Sequence, residues 1–142
     1  AQLLQGGFMQ ANLAQSTFDE ANLEMANFYG ADLTGASFSG ALLNKASMQS
    51  AQMTGTNLSR AKMEMAQLAD AKITLCSFSG ADLSYADLSH AVINESDFSN
   101  SNVNMAKMHE VLEADNIWTG ANKSMAQGTS EARKKAEQWG KK

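Results

Sequence analysis

Large apolar residues recur along this chain every fifth position. Divided into blocks beginning at Ala1, Gly6, Ala11, Ser16 and onward, the chain carries a large apolar residue in the third slot of all 22 blocks through Ala106. The first slot of those blocks is always small: Ala sixteen times, Ser three times, and Gly6, Thr56 and Cys76 once each. All six phenylalanines sit in slot three, at Phe8, Phe18, Phe28, Phe38, Phe78 and Phe98. Slots two, four and five are mostly Asn, Asp, Ser, Gln, Thr, Lys and Gly.

A period of five suits neither regular element. On a helix each apolar residue would be rotated ~140° from the last and the set would scatter around the cylinder. On a flat strand successive apolar residues would alternate faces. A chain that bends once per block keeps every third slot inside, and four bends close a square ring of twenty residues. Stacked rings then repeat at the ladder spacing of about 4.8 Å.

Sorting by every fourth block tests the ring. The first side reads Leu3, Leu23, Leu43, Met63, Leu83, Val103, and the second Phe8, Phe28, Met48, Leu68, Leu88, Met108. The third reads Leu13, Leu33, Met53, Ile73, Ile93, and the fourth Phe18, Phe38, Leu58, Phe78, Phe98. Phenylalanine is segregated from two of the four sides, so the fourth side is expected to form a core ladder. The predicted fold is all-β: a four-sided solenoid over 1–110, an irregular final coil over 111–127 and a helical cap over 128–142. Its tube is narrow, which explains slot one. Two inward residues per side share the space at close-packed density, so a large neighbour requires a small one. Thr56 and Cys76 read as tolerated small variants. Gly30, Gly35, Gly40, Gly55 and Gly80 fall in slot five, the third residue of a type II turn, where φ is positive; Asn100 fits there too.

Close copies of one motif run through the chain: Ala11-Asn12-Leu13, Ala21-Asn22-Leu23, Ala31-Asp32-Leu33, Ala81-Asp82-Leu83 and Ala86-Asp87-Leu88. The pattern resembles the pentapeptide-repeat family, whose motif is Ala-(Asp/Asn)-Leu-X-X. The resemblance covers residues 1–110 and implies a right-handed quadrilateral β-solenoid without catalytic activity.

The two ends differ. Ala1 is already in register, and a native solenoid end needs a cap, so a domain is expected upstream, or a second copy covering that end as a homodimer. At the other end Glu113 takes an apolar slot. Trp118 restores the register, Ala121 and Ala126 fit the small slot, and Lys123 and Gly128 break it. Ser130 reads as the N-cap of a short helix over 131–139 that closes the tube.

Composition excludes several classes. Of 142 residues 44% are apolar and 18% charged, with no proline and nine methionines. No apolar run approaches a membrane span of ~18 residues, and the expected location is the cytoplasm, with secretion as the alternative. The single cysteine leaves no disulfide framework. A net charge of −4 does not fit a general nucleic-acid binder. No catalytic, cofactor or metal constellation stands out. His90 and His109 fall in outward slots, and Cys76 reads as a packed thiol.

Some proteins that this chain resembles inhibit DNA gyrase by mimicking duplex DNA, a function that calls for a long acidic surface. Residues 1–110 carry eleven acids and five bases, a balance of −6, and the remainder four acids and six bases, a balance of +2. Glu24 and Glu64 share a column with Asn44 between them, while Lys62 interrupts the column of Asn22, Asp82 and Asn102. The rings span only about 26 Å.

A different column is more informative. Slot five of the first side reads Gln5, Met25, Lys45, Met65, Tyr85, Met105. Outward positions are normally polar, and a vertical apolar row marks a contact stripe, with methionine able to adapt to a partner. Either a protein partner covers it or the chain's own C-terminal segment does, through Ile117, Trp118 or Met125. The first reading of function is therefore a non-enzymatic binding or spacer module of a larger bacterial protein. The ending, MHEVLEADNIWTGAN and then GTSEARKKAEQW, is similar to the tails of pentapeptide-repeat proteins associated with type VI secretion. The alternatives are a DNA-mimicking inhibitor of a type II topoisomerase and a secreted effector.

Overall fold

A computed structural model describes residues 7–127. The expected helix over 131–139, and Leu3 and Gln5 at the other end, lie outside the described residues. No described helix is long and apolar enough to cross a membrane.

Every parallel pairing joins residues twenty apart. It begins at Gly7↔Asn27, runs through Ser37↔Asn57 and Asn57↔Ser77, and ends at Lys107↔Gln127. Among the described residues, three-residue strands form on the third side only: β1 (Gln52–Thr54), β2 (Lys72–Thr74), β3 (Val92–Asn94) and β4 (Leu112–Ala114), stacked in that order. The chain is thus a four-sided β-solenoid with one coil per twenty residues, and Phe38 and Phe78 lie in one wall.

The interior follows the block pattern. Every slot-three side chain from Leu23 to Val103 is fully buried, and so are the small residues of slot one from Ala21 to Ala106. On the fourth side Phe18 stacks on Phe38 with centroids 5.0 Å apart, and Phe78 stacks on Phe98 at 4.7 Å. Phe28 of the second side meets Phe38 edge-on at 5.5 Å. These residues come from opposite walls, so the tube is one ring wide and edge-to-face contact fills its axis.

Backbone groups are satisfied between rings. In a typical block the slot-three and slot-five amides donate to the ring below, as Phe8 does to Asn27 at 2.7 Å and Gln10 to Tyr29 at 2.7 Å. The next slot-one amide closes the corner, as Ala11 does onto Phe8 at 3.1 Å. That leaves the slot-four amide, and here the motif's second residue acts. Its side chain accepts that N–H at nine corners, including Asp87 from Ser89 at 2.9 Å and Asp32 from Thr34 at 3.1 Å. Asn and Asp are favoured in slot two because a short carbonyl reaches two residues ahead.

Slot five is left-handed at every corner from Gln10 to Gly120, but only six of the 23 are glycine. Met25, Leu75 and Tyr85 hold φ of 61°, 56° and 60°, and the ladder above and below keeps them there against a cost of about 1–2 kcal/mol each.

Pairing continues through the segment 111–127. Glu113 stays opposite Ile93 and Ile117 opposite Asp97. Its departure from the pattern is a single 3₁₀ turn at Lys123–Met125. Glu113 points into the tube, where its side chain is only 7% exposed and pairs with Lys123 Nζ at 3.2 Å. Trp118 Nε1 donates to the same carboxylate. The indole stacks on Phe98 at 4.4 Å and lies 4.5 Å beneath the Lys123 ammonium.

Candidate binding surface

The methionine column stands at the corner between the first and second sides. Met25 is 51% exposed, Met65 45% and Tyr85 52%, with Lys45 also exposed between the two methionines. Met105 is half-buried, and Gln127 Nε2 lies 3.7 Å from its sulfur. Met125, 54% exposed, extends the column by one ring through the Met105 N–H to Met125 carbonyl bond at 2.9 Å. A shallow depression of about 250 Å³ follows the upper part, between Met25, Lys45 and Met65 and the neighbouring Glu24, Asn44 and Glu64. Asn44 Oδ1 accepts the Glu64 N–H at 2.9 Å and fixes this wall.

The chain's own segment through Gln127 does not cover the column. Ile117 is outward on the fourth side and Trp118 is turned inward onto Phe98. Met125 belongs to the stripe itself. The core ladder of Phe18, Phe38, Leu58, Phe78 and Phe98 lies in the fourth wall, buried except at Phe18 in the uppermost described coil.

A second unusual corner joins the third and fourth sides. After Leu13 and Leu33 it is closed by the usual backbone bond, Ser16 onto Leu13 and Ala36 onto Leu33. After Met53, Ile73 and Ile93 no backbone bond closes it. A slot-one side chain from the ring below substitutes. The Cys76 thiol donates to the Met53 carbonyl at 2.9 Å. Asn116 donates to the Ile93 carbonyl at 2.8 Å and accepts the Ser96 N–H at 2.8 Å. Ser96 Oγ accepts the Cys76 N–H at 3.1 Å. Thr56 Oγ1 donates to the Leu33 carbonyl at 2.7 Å. Thr56 and Cys76 are thus hydrogen-bonding members of a column and more than tolerated small residues. Burial raises the Cys76 thiol above its ordinary pKa and keeps it a donor.

The remaining candidates stay apart. His90 pairs with Glu110 at 3.3 Å on an exposed surface, and His109 lies one ring below His90. No group of three His, Cys, Asp or Glu able to hold a metal exists among the described residues. Acids align in pairs only. Glu95 stands over Asp115, Asp70 and Glu110 flank His90, and no outward column of the described residues carries three.

Comparison with known proteins agrees with this geometry. The family model described as pentapeptide repeats, in eight copies, matches residues 8–44, 26–60, 36–74 and 76–112. Among solved structures the chain is similar to HetL, a pentapeptide repeat protein involved in heterocyst differentiation regulation from the cyanobacterium Nostoc sp. strain PCC 7120. It shares 23% identity with that protein over 88% of this chain and 65% of that one, with a TM-score of 0.37. A pentapeptide repeat protein of the Arabidopsis thaliana thylakoid lumen is 30% identical over 70% of this chain and 66% of its own, with a TM-score of 0.36. The chain therefore spans just under two thirds of either protein. A trypsin-treated form of QnrB1, a plasmid-mediated fluoroquinolone resistance protein, is 17% identical over 89% of this chain and 77% of that one, and its TM-score of 0.55 reflects a shared fold. No curated protein matches the chain. The twenty-residue register, the Asn/Asp-capped corners and the matched repeats together place this chain in the pentapeptide repeat family.

Proposed function

We propose that this chain is a non-enzymatic protein-binding module whose docking surface is the column Met25, Lys45, Met65, Tyr85 and Met105. One observation carries the reading: Met25, Met65 and Tyr85 are about half exposed in vertical register in one outward column of a rigid wall. The solenoid backbone presents such a row without further ordering of its own, so adaptable methionines around a tyrosine can supply contact area at the cost of side-chain ordering alone. Type VI secretion as the setting of that partner is part of the proposal, and the support for it is the similarity of the sequence ending to the tails of pentapeptide-repeat proteins associated with that system.

The test is a photo-crosslinker placed at Met65 and, as control, at Ser79 on the fourth side. The crosslinked partner is then titrated against wild type and M65S/Y85S. At least tenfold weaker binding by the double variant is expected. Equal binding by both would overturn the reading.

Inhibition of a type II topoisomerase by duplex mimicry ranks second, because it calls for a continuous acidic surface and the columns here pair at most two acids. Potent inhibition of gyrase supercoiling by this chain would reverse the order.

A further inference from the structure

Diagonally across the tube from the methionine column, the open corners leave a groove of about 520 Å³. Its floor includes Cys76, and its walls carry Leu75, Glu95, Asp97, Asp115 and Ile117. Leu75 and Ile117 are 58% and 52% exposed, in outward slots where polar residues are the rule. Glu95 stands directly above Asp115 in one column, about 4.8 Å apart by ring spacing. Asp97 faces them from the fourth side, with one oxygen holding the Ser99 N–H at 2.8 Å. None of the three carboxylates joins an ion pair among the described residues. Three uncompensated negative charges therefore flank two exposed aliphatic side chains over an opened corner.

We propose that this groove docks an arginine-bearing peptide segment of a partner protein. A guanidinium presents donors on two edges of a plane and can bridge Glu95 and Asp115, while its methylene stem and a neighbouring aliphatic residue lie against Leu75 and Ile117. A lysine ammonium is a point charge and cannot bridge the pair as well. A bare metal ion would leave the aliphatic walls unused and would find no convergent ligand set. Solenoid sides offer no free strand edge, because their backbone groups are bonded between rings. Recognition here is by side chains, and it is independent of the methionine column.

The experiment uses the full chain and an amidated probe peptide alternating leucine and arginine, five residues long, followed by calorimetry. Saturable binding is expected, at least tenfold weaker in E95Q/D115N, several-fold weaker for the lysine version of the probe, and unchanged in M65S/Y85S. Absence of binding, or equal binding by E95Q/D115N, would overturn the proposal. So would tighter binding of the probe by K134E/K135E, since that result assigns the groove to the chain's own basic C-terminal residues.

Discussion

Asn116 clamps the corner above it by two bonds to Ile93 and Ser96: its Nδ2 donates to the Ile93 carbonyl and its Oδ1 accepts the Ser96 N–H, both at 2.8 Å. These are the two groups that a closed corner would join to each other. An amide from the next ring therefore replaces a local turn bond with a bond between rings. Cys76 acts alike two coils earlier through Met53. Replacing Asn116 by Ala leaves a carbonyl and an amide unpaired, at a cost of about 1–3 kcal/mol. Asn116→Asp keeps the acceptor, loses the donor and should fall between the two. Urea denaturation of the three proteins, with unchanged slope, checks the order; an Asp variant as stable as wild type would show that the Ile93 bond contributes nothing.

The slot-two caps make a similar prediction at the surface. Asp87 accepts the Ser89 N–H at 2.9 Å. Asp87→Ala should cost about 1 kcal/mol, and Asp87→Asn should cost little, because Asn12, Asn22 and Asn27 cap their own corners. Thermal denaturation of both variants distinguishes a capping role from one of charge.

Asp32 connects that cap to pH. Hydrogen bonds from the Thr34 side chain and backbone hold its carboxyl below the ordinary carboxylate value. A depressed folded-state pKa means that the unfolded chain binds the proton more readily. The contribution is complete above the unfolded pKa and is lost as pH falls through the folded one. Asp32→Asn keeps a capping oxygen and removes the titration. The difference in melting temperature between wild type and Asp32→Asn should be constant near neutrality and shift against wild type on acidification below the ordinary carboxylate range. A difference that stays flat to strong acid would mean that the charge on Asp32 adds nothing to its cap.

Features written at a spacing of five or twenty were legible in the sequence. The tube, the wall containing Phe38 and Phe78, and the outward placement of Met25, Met65 and Tyr85 all follow from which slot a residue occupies. Other features depend on pairs whose relation the repeat does not reveal. Cys76 and Met53 are 23 residues apart and meet only because one ring stacks on the next. Asp32 and Thr34 are close in sequence, but the cap has meaning only once the slot-four amide is known to lack a backbone partner. The groove was hidden for a related reason: Leu75 and Ile117 occupy different slots on different sides, and the opened corners bring them to one depression.

Glu113 is the sharpest departure from the repeat, and its environment yields the last prediction. It occupies the third-side column below Ile93, so an apolar residue there would simply extend the stack. Instead its carboxylate is enclosed by the Trp118 N–H and the Lys123 ammonium. Lys123→Met removes the cation and leaves a 7%-exposed carboxylate with the indole N–H. Breaking a fully enclosed pair costs ~3–5 kcal/mol; with Lys123 22% exposed the expected loss here is about 2 kcal/mol. Replacing both, as Glu113→Leu with Lys123→Met, removes the desolvation penalty together with the attraction, and Leu packs beneath Ile93 as the column requires. The double variant should recover the loss and match or exceed wild type in denaturant, the usual result when a hydrophobic pair replaces an enclosed ion pair. A double variant as weak as Lys123→Met would mean that the carboxylate is needed to hold Trp118 against Phe98, and quenched or shifted indole fluorescence in that protein would show the ring leaving its stack.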